Sequence, residues 1–341
     1  MDIALQIGDV KLQNRVLLAP LSGISDVPFR RIARRFGAGL VVSEMVASAE
    51  FVAGDRESAL RAMRDGEGPH VVQLAGRDPV WMKAAATKLA DLGADIVDIN
   101  MGCPAKKVVG GLSGSALMRE PDLALRIVEA TVAGAGSVPV TLKMRLGWDE
   151  TSLNAAEIAV RAEAAGVRMI TVHGRTRCQF YEGRANWLAI AAVKAAVSIP
   201  VVANGDLTSA EDRGRMLAQS GADAVMIGRG ACGRPWLPGR IAGAAGPATL
   251  DRILFADLVA EHYEAMIDHY GAGTGTRHAR KHLGWYLDGF KAATGAVAGA
   301  DRASVMTGTD PAAVLGILRR LLGGLSVAEV DRPASLLDQA A

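Results

Sequence analysis

One unit recurs along this chain: an amphipathic helical stretch, a Gly-Ala or Gly-Val turn, then a short apolar strand. Candidate strands are Val16–Ala19, Leu40–Ser43, Val71–Leu74, Ile96–Asn100, Val140–Met144, Met169–His173, Val201–Ala203 and Ala224–Ile227. They are continuously apolar, as expected of parallel strands covered on both faces. Four of them follow Gly37-Ala38, Gly93-Ala94, Gly166-Val167 and Gly221-Ala222. A glycine just past a helix takes the left-handed cap conformation and releases the chain into the next strand. The intervening helices include Pro28–Phe36, Val80–Leu92, Leu123–Ala133, Asn154–Ala165, Trp187–Val197 and Ala210–Ser220. Eight such strands in roughly 230 residues suit a (β/α)8 barrel, which takes about 250. An open doubly wound sheet would carry G-x-G-x-x-G after its first strand. Ala19-Pro-Leu-Ser-Gly23 stands there instead. The expected fold is therefore α/β, a TIM (β/α)8 barrel.

The chain has 341 residues, more than a barrel needs. Gly239 to Thr249, rich in glycine and alanine, reads as a linker. From Leu250 the pattern is helical without further strands, over Asp251–Tyr270, Thr276–Thr294 and Asp310–Gly323. We expect a catalytic barrel over residues 1–240 and a small C-terminal helical domain over 250–341, loosely packed from Ser326 to Ala341. On its middle helix Arg277, Arg280, Lys281 and His282 form a basic turn, followed by Trp285 and Tyr286. A solvated face is the plain reading, but aromatics beside the charges favour an RNA-facing surface. Net charge is only +2, so any such surface is a local patch. Three cysteines without CxxC spacing offer no disulfide framework or zinc site and suit a reducing cytosol. The N-terminus lacks the pattern of a signal peptide. The most apolar stretch, Leu188 to Ala203, is broken by Lys194, Ser198 and Pro200. We therefore expect no membrane span, and a cytoplasmic location for a monomer.

In a barrel the strand C-termini share one rim where catalytic groups gather. Those ends read Pro20-Leu21-Ser22, Glu44, Gln73, Asn100 with Cys103, Lys143 with Arg145, His173 with Arg175, Asn204-Gly205-Asp206, and Gly228-Arg229. Any one of them could be a cap or a satisfied core group; eight in succession on apolar strands mark a site. Cys103 lies in Asp98-Ile-Asn-Met-Gly-Cys-Pro104, between a glycine and a proline rather than in an apolar stripe. That turn exposes a thiol to a ligand. After the seventh and eighth strands, Asn204–Asp206 and Gly228-Arg229 match the place where barrels commonly bind phosphate. Glycine lets backbone N–H groups approach an anion, and Arg229 adds a forked donor. Lys143 and His173 would face the middle of the rim, where a cation can hold the charge a reduced flavin develops. Gln73 and Asn100 could complete hydrogen bonds to a flat heterocycle.

These residues closely resemble the tRNA-dihydrouridine synthases, in particular their bacterial B-type branch. The likeness rests on Ala19-Pro-Leu-Ser-Gly23, Gln73-Leu-Ala-Gly76, Asn100-Met-Gly-Cys-Pro-Ala-Lys-Lys107, Lys143-Met-Arg145 with Gly147-Trp148, Thr171-Val-His-Gly-Arg-Thr-Arg177, Ala203-Asn-Gly-Asp206, Met226-Ile-Gly-Arg229 and Ala279-Arg-Lys-His282. It spans the barrel and reaches into the tail. The resemblance implies an FMN enzyme that uses NADPH to reduce the C5–C6 double bond of a D-loop uridine in tRNA. FMN would lie with its phosphate on Asn204–Asp206 and Gly228-Arg229, and its ring against Pro20, Leu21, Ser22, Gln73, Lys143 and His173. Hydride would pass from the flavin to C6, and Cys103 would protonate C5. An unperturbed thiol, with a pKa near 8.5, keeps its proton at pH 7 and can act as that acid. Lys106, Lys107, Arg175, Arg177, Arg277, Arg280 and Lys281 would hold the RNA, and the target base must leave its loop to reach the flavin.

Two departures from the family pattern stand out. Leu21 replaces the commoner methionine, a swap of similar volume. Val108-Val-Gly-Gly111 replaces a stretch that often carries Asn or Arg with a Lys, removing a basic contact beside Cys103. Cys178 and Cys232 match no catalytic position and read as structural. Two rival functions compete: a dihydroorotate dehydrogenase-like flavoprotein acting on a free pyrimidine, and an RNA-binding protein on a retired barrel. The first needs neither Lys106-Lys107 nor the basic tail; intact Cys103, Lys143 and Arg229 argue against the second.

Overall fold

The computed structural model describes residues 5–295 and 297–331, without the side chain of Lys107. Eight parallel strands close into a barrel in sequence order: β1 Val16–Leu18, β2 Leu40–Ala47, β3 Val71–Ala75, β4 Ile96–Met101, β5 Val140–Arg145, β6 Met169–His173, β7 Val201–Asn204 and β8 Ala224–Ile227. All eight stand where the apolar runs placed them. β2 runs longer than expected, because a register shift between Val42 and Met45 lets its end pair alongside β3. Gly37, Gly93, Gly166 and Gly221 have φ of 96°, 79°, 105° and 63°, so each expected turn uses the conformation that glycine allows.

A short hairpin, Gln6–Ile7 with Val10–Lys11, precedes the barrel and was not foreseen. Its buried Leu5, Ile7 and Leu12 cluster with Leu40, Val71, Ile96, Met169 and Ala224, the first residues of five strands. It thus closes the N-terminal mouth, leaving the opposite rim as the open end. The larger core lies between the outer faces of the strands and the helices, from Leu18, Val72 and Ile99 to Met82, Ile127 and Ile158. Asp26 and Ser209 cap helices Val27–Arg35 and Ala210–Ser220 by accepting from the N–H groups of Phe29 and Asp212.

Helices Phe255–Tyr270, Ala272–Thr294, Gly299–Thr307 and Pro311–Leu322 form the C-terminal part, the third of them unanticipated. Their core, with Phe255, Tyr263, Leu283, Tyr286 and Leu318, also takes in Ile32, Phe36 and Trp236 of the barrel. The two parts share one apolar seam along helix Val27–Arg35. The expected linker over Gly239–Thr249 is instead largely helical, in Leu237–Ala242 and Pro247–Asp251. A Cβ on Gly239 would collide with the carbonyl of Phe36, so this glycine permits close packing rather than flexibility. The expected loose end is likewise corrected up to Asp331. Ser326 and Glu329 form a capping box on helix Val327–Val330. Buried Asp331 receives Arg234 at 2.5 Å and also pairs with Arg240, tying the end to the barrel. The rest of that expected segment, residues 332–341, lies outside the described residues.

Candidate active site

The rim divides into two arcs. On β3 to β5 the ladder register sets Gln73 beside Asp98 and Asn100 beside Lys143. Asp98 is buried, and its two carboxylate oxygens accept from Thr141 Oγ1 at 2.5 Å and Gln73 Nε2 at 2.6 Å. An ionised carboxylate only accepts, so it orients the Gln73 amide with N–H inward. Gln73 Oε1 then accepts from Asn100 Nδ2 at 2.7 Å. Asn100 Oδ1 in turn accepts the backbone N–H groups of Gly102 at 3.2 Å and Cys103 at 3.0 Å. Each amide is locked by the next, and the series ends on the cysteine loop. Burial pushes the Asp98 carboxyl up to about 6, against its bonds to Thr141 and Gln73 and the charge of Lys143. Asp98 and Thr141 were missed as site residues; an acid within an apolar strand was the one available signal.

Cys103 is half-buried. Burial pushes its thiol above the usual value, opposed by the Ala105 N–H and the charges of Arg145 and Lys143. The thiol therefore holds its proton at neutral pH. Its carbonyl accepts from Ser115 Oγ at 2.8 Å, and Arg145 Nε donates to the Gly102 carbonyl at 2.8 Å. Arg145 also donates to the carbonyls of Thr176 and Phe180, both at 2.8 Å, clamping the β4 loop to the β6 loop. Lys106 is exposed on the short helix Lys106–Gly110, while the side chain of Lys107 lies outside the described residues. Cys232 fits its structural reading, with burial pushing its thiol up to about 12. Cys178 does not; it is exposed on the β6 loop.

On β6 to β8 the groups are charged. Arg175 is 1% exposed and grips Asp206 with both terminal nitrogens, at 2.8 and 2.7 Å. It also donates to the carbonyls of Glu182 and Gly183. Arg175 is therefore unavailable to RNA, contrary to expectation; it holds the β6 and β7 loops together. The Asp206 carboxylate, which also accepts from the Ala185 N–H at 2.8 Å, belongs to that pair. Only the backbone of Asp206 remains for an anion. His173 also departs from expectation. Burial, then the charges of Arg145, Lys143 and neighbouring arginines, holds it well below its usual pKa, so it is neutral. The rim cation is Lys143, lowered by burial to about 8 and donating to Asn204 Oδ1 at 3.2 Å. Arg229 is partly exposed, 3.4 Å from Asp206 and stacked 4.4 Å from the centre of the Tyr181 ring. The β1 loop closes the circle. Pro20 and Leu21 are half-buried and Ser22 is exposed. A Cβ on Gly228 would meet Leu21 at 3.8 Å, an ordinary contact, so this corner has room.

The donor set suits a flavin phosphate ester. Gln73 uses one amide hydrogen on Asp98 and keeps one, and Lys143 uses one of three on Asn204. Both can therefore donate to ring oxygens or nitrogens, while Arg229 and the glycines of the β7 and β8 loops offer a charge and close backbone approach to phosphate. The tail contributes less than its basic turn suggested. His282 and Tyr286 are buried, and Trp285 packs on Gly233. Arg280 turns to the carbonyls of Thr307 and Gly308, both at 3.4 Å. Arg277 is exposed, and Lys281 reaches the β1 loop at Gly23. Among the described residues no helix is long and apolar enough to cross a membrane.

Comparison with known proteins agrees with this geometry. A family model described as dihydrouridine synthase matches residues 17–310. A Rhizobium leguminosarum bv. phaseoli protein named "Probable tRNA-dihydrouridine synthase" is 58% identical over 313 residues, covering 92% of this chain and 96% of its own. "tRNA-dihydrouridine synthase B" of Pseudomonas aeruginosa is 48% identical over 289 residues, covering 83% and 86%. Among solved structures, an old yellow enzyme homologue from Zymomonas mobilis aligns with a TM-score of 0.53 at 16% identity, over 72% of this chain and 93% of that one. At that identity the likeness concerns the fold.

Proposed function

The chain belongs to the dihydrouridine synthase family, and we propose that it holds FMN on the rim, takes reducing equivalents from NADPH and reduces a D-loop uridine of tRNA. The observation that carries the reading is the series Asp98–Gln73–Asn100, which fixes the loop of a protonated thiol on the arc that also presents Lys143. Bound FMN would supply the hydride that C6 of the uracil receives. Cys103 would hold its S–H at C5 and give up that proton as the ring saturates. Lys143 would balance negative charge at the ring, and Gln73 would orient it through its one free N–H. Arg229 and the backbone at Gly205, Asp206 and Gly228 would hold the phosphate. Lys106, Arg177, Arg277 and Lys281 remain to meet RNA; Lys281, at the β1 loop, would do so at the mouth of the site. We read the protein as a cytoplasmic monomer.

Dihydrouridine maps of tRNA from deletion and wild-type cells test this. The deletion strain should lose the base from at least one D-loop position, and the intact gene should restore it where Cys103→Ala does not. Identical maps from deletion and wild-type cells would overturn the proposal.

A further inference from the structure

Several arginines on this surface are paired with carboxylates: Arg35 with Glu261, Arg61 with Glu57, Arg161 with Asp122, Arg302 with Asp288 and Arg320 with Asp301. Two beside the Cys103 loop are held against aromatic rings instead. Arg119 lies with its guanidinium 4.1 Å from the centre of the Trp148 ring, and Arg177 lies 4.8 Å from the same ring and 4.4 Å from that of Phe180. Among the described residues neither has a carboxylate partner, and Arg177 Nε is buried without any acceptor. An aromatic face holds a guanidinium in place while leaving its positive charge and most of its donors uncommitted.

The backbone builds this stack deliberately close to the chemistry. The N–H groups of Arg177 and Cys178 donate to the carbonyls of Gly147 and Trp148 at 3.0 and 2.9 Å, so the β5 and β6 loops run together there. Arg119 ends the 3-10 helix Gly114–Arg119, whose Ser115 is bonded to the Cys103 carbonyl. At about 2 Å of rise per residue, Arg119 lies about 8 Å along that helix from the Ser115 that bonds the cysteine loop.

We propose that Arg119 and Arg177, mounted on Trp148, form a phosphate-binding platform for the RNA strand that carries the target uridine. The inference rests on the proposed tRNA substrate. A polyanion fits because two unneutralised, pre-positioned forks await acceptors beside a site that must hold an extruded base. Val108–Gly111, beside Cys103, carries no charge of its own, so positive charge near this loop comes from its neighbours.

The test measures binding of an unmodified tRNA transcript across a salt series for wild type, Arg119→Ala with Arg177→Met, and Arg168→Ala. Arg168 is exposed at the start of β6, on the opposite mouth. Each lost phosphate contact should lower the slope of log affinity against log salt by about 0.7 to 0.9. The double variant should therefore bind more weakly, with a slope shallower by roughly 1.5, while Arg168→Ala matches wild type. NADPH-driven bleaching of bound flavin, unchanged in the double variant, shows that the pocket is intact. An unchanged slope in a double variant whose wild type forms dihydrouridine would overturn the platform alone. A wild type that neither binds the transcript nor forms dihydrouridine would overturn the functional reading and the platform with it.

Discussion

The two arcs of the rim solve different problems with different chemistry. From β3 to β5, neutral amides are ordered by one buried carboxylate, and the ordering ends at the backbone of Cys103. From β6 to β8, an Arg175–Asp206 pair braces the loops, and a second arginine, Arg229, stands beside it with spare donors. The first arc fixes hydrogen-bond direction, which proton transfer to a carbon requires. The second holds fixed positive charge against solvent, which suits an anion. On the proposed reading the second arc would hold a phosphate, while burial keeps the thiol of the first arc protonated.

Four experiments break or sharpen this contrast, beginning with the largest expected effect. Cys103→Ala removes the acid from the first arc. Single-turnover oxidation of reduced flavin by tRNA should slow by about 10²–10⁴, with flavin content and its reduction by NADPH unchanged. A variant that formed dihydrouridine at the wild-type rate would falsify the role of the thiol.

Arg175→Ala attacks the brace of the second arc. Losing the two-pronged pair, with Asp206 left to the Ala185 N–H and the more distant Arg229, should cost about 1.5–3 kcal/mol of stability. Denaturant melts would register that loss, whereas the same melt on apo Arg229→Ala should barely move. Equal stabilities for the two variants would remove the distinction between brace and ligand.

Arg229→Ala should act on the cofactor instead. Loss of a charge-assisted pair with the phosphate should weaken flavin retention by about 1.5–3 kcal/mol, read by titrating FMN into the apoprotein. Undiminished affinity would move the phosphate site elsewhere.

The smallest effect concerns pH. Lys143, lowered by burial to about 8, is charged below that pH and neutral above it. Its help to a flavin becoming negative should therefore fade as pH rises through about 8. Flavin reduction by NADPH should decline there by at most tenfold per pH unit. Lys143→Met should start slower and lose that limb; a limb that persists belongs to another group.

Much of this molecule was legible in one dimension. Strands buried on both faces need unbroken apolar runs, and chain reversal after a helix needs a residue tolerant of positive φ, so local composition disclosed all eight strands and the turns before four of them. Cys103 was visible as well, because a thiol between Gly102 and Pro104 contradicts core packing. Pairings between distant loops were not visible. Nothing local says that Arg175 closes on Asp206 or that Arg119 lies on Trp148, since each contact spans about 30 residues of chain.

The helical tail shows the same limit. Its basic turn promised an outward RNA surface, yet His282 and Tyr286 turn inward to pack with Phe29 and Phe255 of the shared seam. Gly239–Thr249 read as a linker, but Gly239 packs closely on the carbonyl of Phe36 and Ala244 lies against Gly37. By itself the sequence determined the barrel, the rim where its polar strand ends gather and the loop that carries Cys103, because those follow from periodicity, turn chemistry and chain order. Only the tertiary structure decided which cations are free and which are braces. Charge availability depends on neighbours that chain folding brings together, and on burial, which leaves His173 neutral and Lys143 charged on the same rim.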